Sequence, residues 1–349
     1  MKVSLISGSH GVFGGGQIYL DNMAKSLVRH GVDCKIYASD DVFSDSVKIK
    51  NISTWKDKIF NVLDLIRTIN SNKREREIII LNDITLSMCS IIFRLCGVKV
   101  VSLIHMSLFN SARKGCFFKK VYPRLRAFFI NIGSDAIFNV NKENEQLLAK
   151  EKTFYVGNFI MDEQFSRLNN ASKEIDFLYV GRFDKEKRPL EFINFIYGVN
   201  ERLGGVKAAM VGDGELYSQV ESQILRMGLR DVIKLYGFIP HDDIWSFFEK
   251  TKNIVITSKT EGFPTVILEA AKYGANFISY PLGTIPFIHR EYSVGIVANS
   301  LDDLVYAASI HIDKYADSEL KARLSLFSSE HTSIAFSKRI IKYLEEVLN

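Results

Sequence analysis

A chain of 349 residues, 47% hydrophobic and 24% charged, has the composition of an ordinary soluble globular protein and is too long for one ordinary core, so two domains are expected. The net charge of +5 is unevenly spread. Residues 1–157 carry 23 basic and 14 acidic side chains (+9), whereas residues 158–349 carry 22 basic and 26 acidic (−4), so an anionic partner is expected for the front half alone.

Several classes fall away early. The four cysteines (Cys34, Cys89, Cys96, Cys116) form no close metal-type cluster and read as reduced, buried thiols of a cytosolic protein. The opening MKVSLISGSHG reads as too short and too soon broken by glycine for a signal peptide. The longest uncharged run, Tyr273 to His289, holds two prolines and two glycines, which a membrane-spanning helix would not favour.

In chain order, strand-like runs occur at KVSLIS, DCKIYA, EIIILN, KVVSLIH, DFLYVG, VKAAMVG, NIVITS and ANFISY. Amphipathic helical stretches such as Gln17 to His30 and Leu216 to Met227 lie between many of them. This alternation predicts a doubly wound α/β architecture. It restarts near Asp176, after the polar stretch SRLNNASKEI, so two Rossmann-like domains are expected: residues 1–160 and 172–330, with a last helix in 331–349 free to pack on either.

The first strand runs into SGSHGVFGGGQIYL, where Gly14, Gly15 and Gly16 let backbone approach a ligand and the next helix aims its first N–H groups at an anion. Tyr19 stands where a dinucleotide fingerprint needs its third glycine, so that fingerprint is absent, and a plain strand-to-helix turn uses the same glycines. His105 closes a buried strand in VVSLIHMSL, where imidazole serves either the fold or a sugar hydroxyl. In DFLYVGRFDKEKRPLEFI, Arg182, Lys185, Lys187 and Arg188 crowd the loop before a helix. A guanidinium and an ammonium at a strand edge suit a diphosphate, and Arg182 is expected to be costly there unless an anion visits. Gly212 and Gly214 open the next helix, and IKLYGFIPHDDI gives another strand whose loop offers backbone or the Phe238 ring to a nucleobase.

Residues 258–279, SKTEGFPTVILEAAKYGANFIS, form a strand–loop–helix with Glu261 on the loop and Glu269 on the helix. Pro264 suits a first helical position and Gly274 the stop. Carboxylates accept from vicinal hydroxyls while Arg and Lys neutralise phosphate, so together they suit a sugar nucleotide. Open parallel sheets bind ligands at this edge.

These residues resemble those of the family-4, group 1 type glycosyltransferases of the GT-B fold, two Rossmann-like doubly wound domains facing a cleft, and in particular bacterial surface-polysaccharide and lipopolysaccharide enzymes. The resemblance spans roughly residues 1–300 and rests on GGGQIYLDNMAKSLVRHG, LIHM, VGRFDKEKRP, VGDGELY, YGFIP and TEGFPTVILEAAKYG. It implies a retaining, metal-independent hexosyltransferase with no cofactor, using UDP-sugars ahead of GDP-sugars as substrate. It assigns Glu269 to the ribose and Arg182 and Lys187 to the diphosphate. Glu261, with backbone from Gly262, Phe263 and Thr265, goes to the hexose; His105 reaches that hexose, and Gly15 and Gly16 close on the phosphates. Many relatives carry glycine where Pro264 stands, so one backbone N–H is missing here.

Six basic residues, Arg113, Lys114, Lys119, Lys120, Arg124 and Arg126, fall in a stretch without acids between Ser111 and Ser134, interleaved with Phe117, Phe118, Tyr122, Phe128 and Phe129. Such a segment suits an anionic membrane surface, and no nucleic-acid-binding motif accompanies it. The expected partners are a nucleotide-sugar donor and a saccharide or lipid-linked acceptor. The expected location is the cytoplasmic face of the membrane, held peripherally. A sugar-nucleotide epimerase of the same fold and a non-catalytic partner subunit are the alternatives.

Overall fold

The computed structural model describes residues 1–7, 15–39, 43, 46–50, 52, 55–69, 77–109, 116–162, 172–240, 243–312 and 317–349, with 55–60, 69 and 116–120 described by backbone alone. The chain divides into two compact units, Met1–Met161 with Ser333–Asn349, and Asp162–Thr332.

The first unit contains β1 (Lys2–Ser7), α1 (Gly15–Arg29), β2 (Asp33–Ala38), β3 (Val47–Lys48), α2 (Trp55–Ile69), β4 (Glu77–Asn82), α3 (Ile84–Met88), α4 (Ser90–Leu95), β5 (Lys99–Ile104), α5 (Cys116–Gly133), β6 (Ala136–Asn139) and β7 (Thr153–Tyr155). Its seven strands form one sheet in the order β3-β2-β1-β4-β5-β6-β7, parallel at every pairing. β1 and β4 are buried along nearly their whole length, as expected of parallel strands covered on both faces.

The second unit contains β8 (Ile175–Val180), α6 (Pro189–Leu203), β9 (Ala208–Val211), α7 (Tyr217–Arg226), β10 (Ile233–Leu235), α8 (Trp245–Lys250), β11 (Thr251–Ile256), α9 (Thr265–Lys272), β12 (Asn276–Ser279), α10 (Ile285–Tyr292), β13 (Ile296–Val297), α11 (Leu301–His311) and α12 (Ser318–Ser329). Its strand order is β10-β9-β8-β11-β12-β13, again all parallel. The order reverses direction between β8 and β11, so the loops after these two strands flank the sheet's switch point, where such sheets bind ligands.

The last helix, α13 (Ser333–Leu348), belongs to the first unit. Ser26 of α1 donates to the Ser333 carbonyl (3.0 Å) and meets the Ser337 hydroxyl at 2.5 Å. Phe336 stacks on Phe159 with centroids 3.9 Å apart, and Arg339 donates to the Val156 carbonyl at 2.9 Å.

Most expected elements appear with ends shifted by a residue or two. The helix expected from Gln17 begins at Gly15, and the strand expected to end at Gly181 ends at Val180. Pro264 is the N-cap of α9 rather than its first residue. The eight runs and the IKLY strand missed β3, β6, β7 and β13, which are two to four residues long, too short to display an alternation. The cysteines are not uniformly buried: Cys89 is, Cys34 is half-buried and Cys96 is exposed.

Gly212 lies against the loop after β8. Its φ is +149°, and a Cβ added there would overlap the Gly181 carbonyl oxygen. Gly212→Ala is therefore expected to lower the unfolding free energy by roughly 2 kcal/mol or more, read from urea titration, through backbone strain and lost loop docking.

Candidate functional site

The loops at the C-terminal edge of the second sheet are bonded to one another in series. Gly212 N–H donates to the Gly237 carbonyl (2.8 Å), Phe183 N–H to Asp213 (2.8 Å), Lys259 N–H to Glu186 (2.8 Å) and Thr284 N–H to Gly262 (2.9 Å). Five connections, after β10, β9, β8, β11 and β12, thus hold each other in register.

The loop after β8 carries the basic residues. The Asp184 carboxylate accepts from the backbone N–H groups of Glu186 (3.0 Å) and Lys187 (2.8 Å) through one oxygen and from Arg182 (3.0 Å) through the other. Arg182 was expected to lack a partner. Instead its side chain is 71% exposed and paired with Asp184, so it bears little desolvation cost. Lys187 Nζ donates to Glu261 Oε1 at 2.6 Å, and Ser258 Oγ donates to the same oxygen at 2.6 Å. Two residues assigned to different parts of a ligand are joined in a partly buried ion pair at the switch point.

Two hydroxyls fix the turn that follows. Thr257 Oγ1 lies 3.1 Å from the Lys187 carbonyl and 2.9 Å from that of Arg188. Tyr179 Oη lies 3.0 Å from the Arg182 carbonyl and 3.3 Å from that of Lys187, and burial holds its phenol well above the ordinary range. Arg188 caps α6 with φ 51°, and its guanidinium pairs with Glu191 at 2.8 Å. Tyr280 donates to the same Glu191 oxygen at 2.8 Å, and burial, then that hydrogen bond, raises its phenol. A non-glycine residue held at positive φ beside the switch point is strain of the kind concentrated at functional sites. Asp184, Thr257 and Ser258 escaped the sequence reading because small polar residues on a loop carry no signal of what they bond.

Of the remaining expected residues, Glu269 is half-buried on α9 and Thr265 exposed at the first position of that helix. Phe238 is 72% exposed beyond β10. Phe263, assigned through its backbone, is 6% exposed and its ring packs on His331, centroids 5.4 Å apart. Gly283 lies beneath, where a Cβ would overlap the Glu261 and Gly262 carbonyl oxygens.

In the first unit, Gly15 and Gly16 open α1, and a Cβ added to either would meet nothing among the described residues within 4 Å. Gly14 lies outside the described residues. His105 follows β5, with its Nε2 enclosed and without a hydrogen-bond partner among the described residues. Burial lowers its pKa to about 4, so the imidazole is neutral at pH 7.

Arg124 and Arg126 lie on α5. Arg113 and Lys114 fall outside the described residues, and the side chains of Lys119 and Lys120 are not described. On the same helix Val121, Leu125, Phe128 and Ile132 are exposed. They recur at helical spacing, forming one apolar stripe with Arg124 exposed beside it.

The neutral state of His105 gives a stability–pH prediction. The folded chain resists protonation down to about pH 4, while the unfolded chain takes the proton near 6.5. This contribution is complete above pH 6.5 and lost as pH falls from 6.5 to 4. His105→Gln is expected to flatten that part of the curve, read as the difference between wild-type and variant urea midpoints at pH 7 and 4.5.

Residues 160–324 match the family model described as glycosyl transferases group 1. One relative is the Campylobacter jejuni alpha-1,4-N-acetyl-D-galactosaminyltransferase that acts on an undecaprenol-linked glycan, 23% identical over 200 residues, 56% of this chain and 53% of that protein. Another is the lipopolysaccharide 1,6-galactosyltransferase of Escherichia coli K12, 31% identical over 150 residues, 39% of this chain and 41% of that protein. The chain thus matches about half the length of these relatives. Among solved structures, Anabaena HepE in complex with UDP superposes with a TM-score of 0.79 at 15% identity, covering 99% of this chain and 100% of that one. Residues 160–324 thus match the group 1 glycosyl transferase model, in a chain that shares the GT-B fold.

Proposed function

We propose that the protein transfers a hexose from a nucleotide-diphosphate sugar to a lipid-linked saccharide in the synthesis of a cell-surface polysaccharide. The observation that carries this reading is the Lys187–Glu261 pair at the switch point of the second sheet, with exposed Arg182 alongside, inside the segment that matches the group 1 model. Arg182 and Lys187 take the diphosphate, where two cations offset its charge. Arrival of the diphosphate gives Lys187 a second anion and leaves Glu261 to accept from the hexose hydroxyls. Glu269 accepts from the ribose, and exposed Phe238 offers its ring to the base. UDP-sugars are the preferred donors, in keeping with the UDP bound to HepE. Glu261 and His105 are the groups assigned to the transferred sugar. His105 is neutral at working pH, so it serves as an uncharged hydrogen-bond donor to a sugar hydroxyl. Transfer proceeds with retention and without a metal, with Arg182 and Lys187 bearing the leaving group's charge.

The acceptor is placed on a membrane. Support comes from the exposed stripe Val121–Leu125–Phe128–Ile132 on α5, in a helix without acidic residues. Apolar side chains beside cations suit an anionic bilayer surface. Among the described residues no helix is long and apolar enough to cross a membrane, so the contact proposed is peripheral, at the cytoplasmic face.

Thermal unfolding with UDP, GDP and ADP tests the donor site. UDP at about a hundred times its dissociation constant is expected to add roughly 2.7 kcal/mol to the wild type. Glu269→Ala and Arg182→Ala should each lose that gain, whereas a nucleotide gain retained in both variants would place the site elsewhere. For the membrane contact, flotation with phosphatidylglycerol vesicles at low salt should carry the wild type and release Phe128→Glu. Protein that stays in solution under those conditions removes the membrane from the reading.

A further inference from the structure

Tyr19 is the least explained group of the first unit. It occupies the position where the glycine loop lacks a third glycine, and it is only 4% exposed. Its hydroxyl donates to the Gly157 carbonyl at 3.0 Å. Its ring meets Phe159 at 5.2 Å and Phe336 at 5.7 Å between centroids, each edge-on. It also meets the His105 imidazole, 4.3 Å away with the planes at 79°.

The residues that hold Tyr19 are themselves held. Phe159 and Phe336 stack face to face at 3.9 Å, and Arg339 of α13 takes the Val156 carbonyl, one residue before the carbonyl taken by Tyr19. Adjacent carbonyls at 156 and 157 are therefore gripped by α13 and α1, just before the first unit ends at Met161. A buried phenol needs a partner for its hydroxyl, and Gly157 supplies one. His105 has no hydrogen bond among the described residues to set its ring; edge-on contact with a fixed aromatic is what the structure supplies instead.

We infer that Tyr19 is a positioning residue, which fixes the His105 imidazole through its ring and is itself anchored by its hydroxyl on Gly157. The inference rests on the reading of His105 as a group that meets the transferred sugar. It assigns a task to a tyrosine outside that site and gives α13 a part in it.

The test uses Tyr19→Phe, which keeps the ring and removes the anchor, in wild-type and His105→Ala backgrounds. Histidine-selective NMR of the full-length protein reads the ring directly, with the His105 signal assigned by its absence in His105→Ala. In the wild type His105 should titrate near 4. In Tyr19→Phe its signal should shift and its midpoint rise toward 6.5, with the other histidines unmoved. An unchanged His105 signal and midpoint overturn the inference. Transfer kinetics with UDP-glucose provide a second reading, expected to show kcat reduced roughly ten- to a hundredfold by Tyr19→Phe with donor KM little changed. The same substitution should have no further effect on kcat in His105→Ala, and equal losses in both backgrounds also overturn it. Should Tyr19→Phe not fold, Phe336→Leu loosens the same ring seat and takes its place in both measurements. Full transfer by His105→Ala would refute the role proposed for His105, while the NMR titration still judges Tyr19.

Discussion

The second unit depends on backbone hydrogen bonds that join the loops at one edge of its sheet. Each loop follows a different strand, yet Gly212 is bonded to Gly237, Phe183 to Asp213, Lys259 to Glu186 and Thr284 to Gly262. Buried backbone groups must find partners, and loops that cannot use a sheet ladder find them in one another. This joins five connections into one hydrogen-bonded rim. It also explains the glycines: where the rim is tightest, at Gly212 and Gly283, a Cβ would strike a neighbouring carbonyl.

The charges on that rim are arranged to be exchangeable. Lys187 and Glu261 neutralise each other, and Ser258 supplies a second hydrogen bond to the same carboxylate oxygen. A partly buried ion pair of this kind gains little net stability, because its attraction is offset by desolvation. Its merit is that neither charge stands unpaired before a ligand arrives. Arg182 follows the same logic with Asp184, at much greater exposure. The αL backbone of Arg188, held by Thr257 and by the Arg188–Glu191 pair, shows that the turn is kept in a conformation it would not choose alone.

The first unit solves a different problem. Its sheet places a neutral, enclosed histidine at the end of β5, and Asn144 secures the loop beyond by accepting from Leu108 N–H and donating to the Met106 carbonyl. Helix α13, from the far end of the sequence, closes the unit against α1. Terminal and initial segments thereby share one core, and Tyr19 stands at their junction with His105.

Local sequence carried a large part of this. The apolar runs KVSLIS, EIIILN, DFLYVG and NIVITS are long enough to declare buried parallel strands, and their alternation with helices required two doubly wound sheets. The motifs around Arg182, Lys187, Glu261 and Glu269 were legible because residue type and position after a strand are both local properties. What the sequence could not express were relations between distant residues. It did not say that Lys187 and Glu261, 74 positions apart, meet at 2.6 Å. It did not say that the Phe263 ring turns inward onto His331. Strands as short as β3, β6, β7 and β13 exist only because a neighbouring strand offers them hydrogen bonds. Sequence by itself determined the layers, the order of the elements and the chemical types gathered at the sheet edge, since these follow from hydrophobic periodicity and residue chemistry. Tertiary structure alone decided which charges pair, which rings are buried and which unit receives the last helix, because those outcomes depend on packing between segments far apart in the chain.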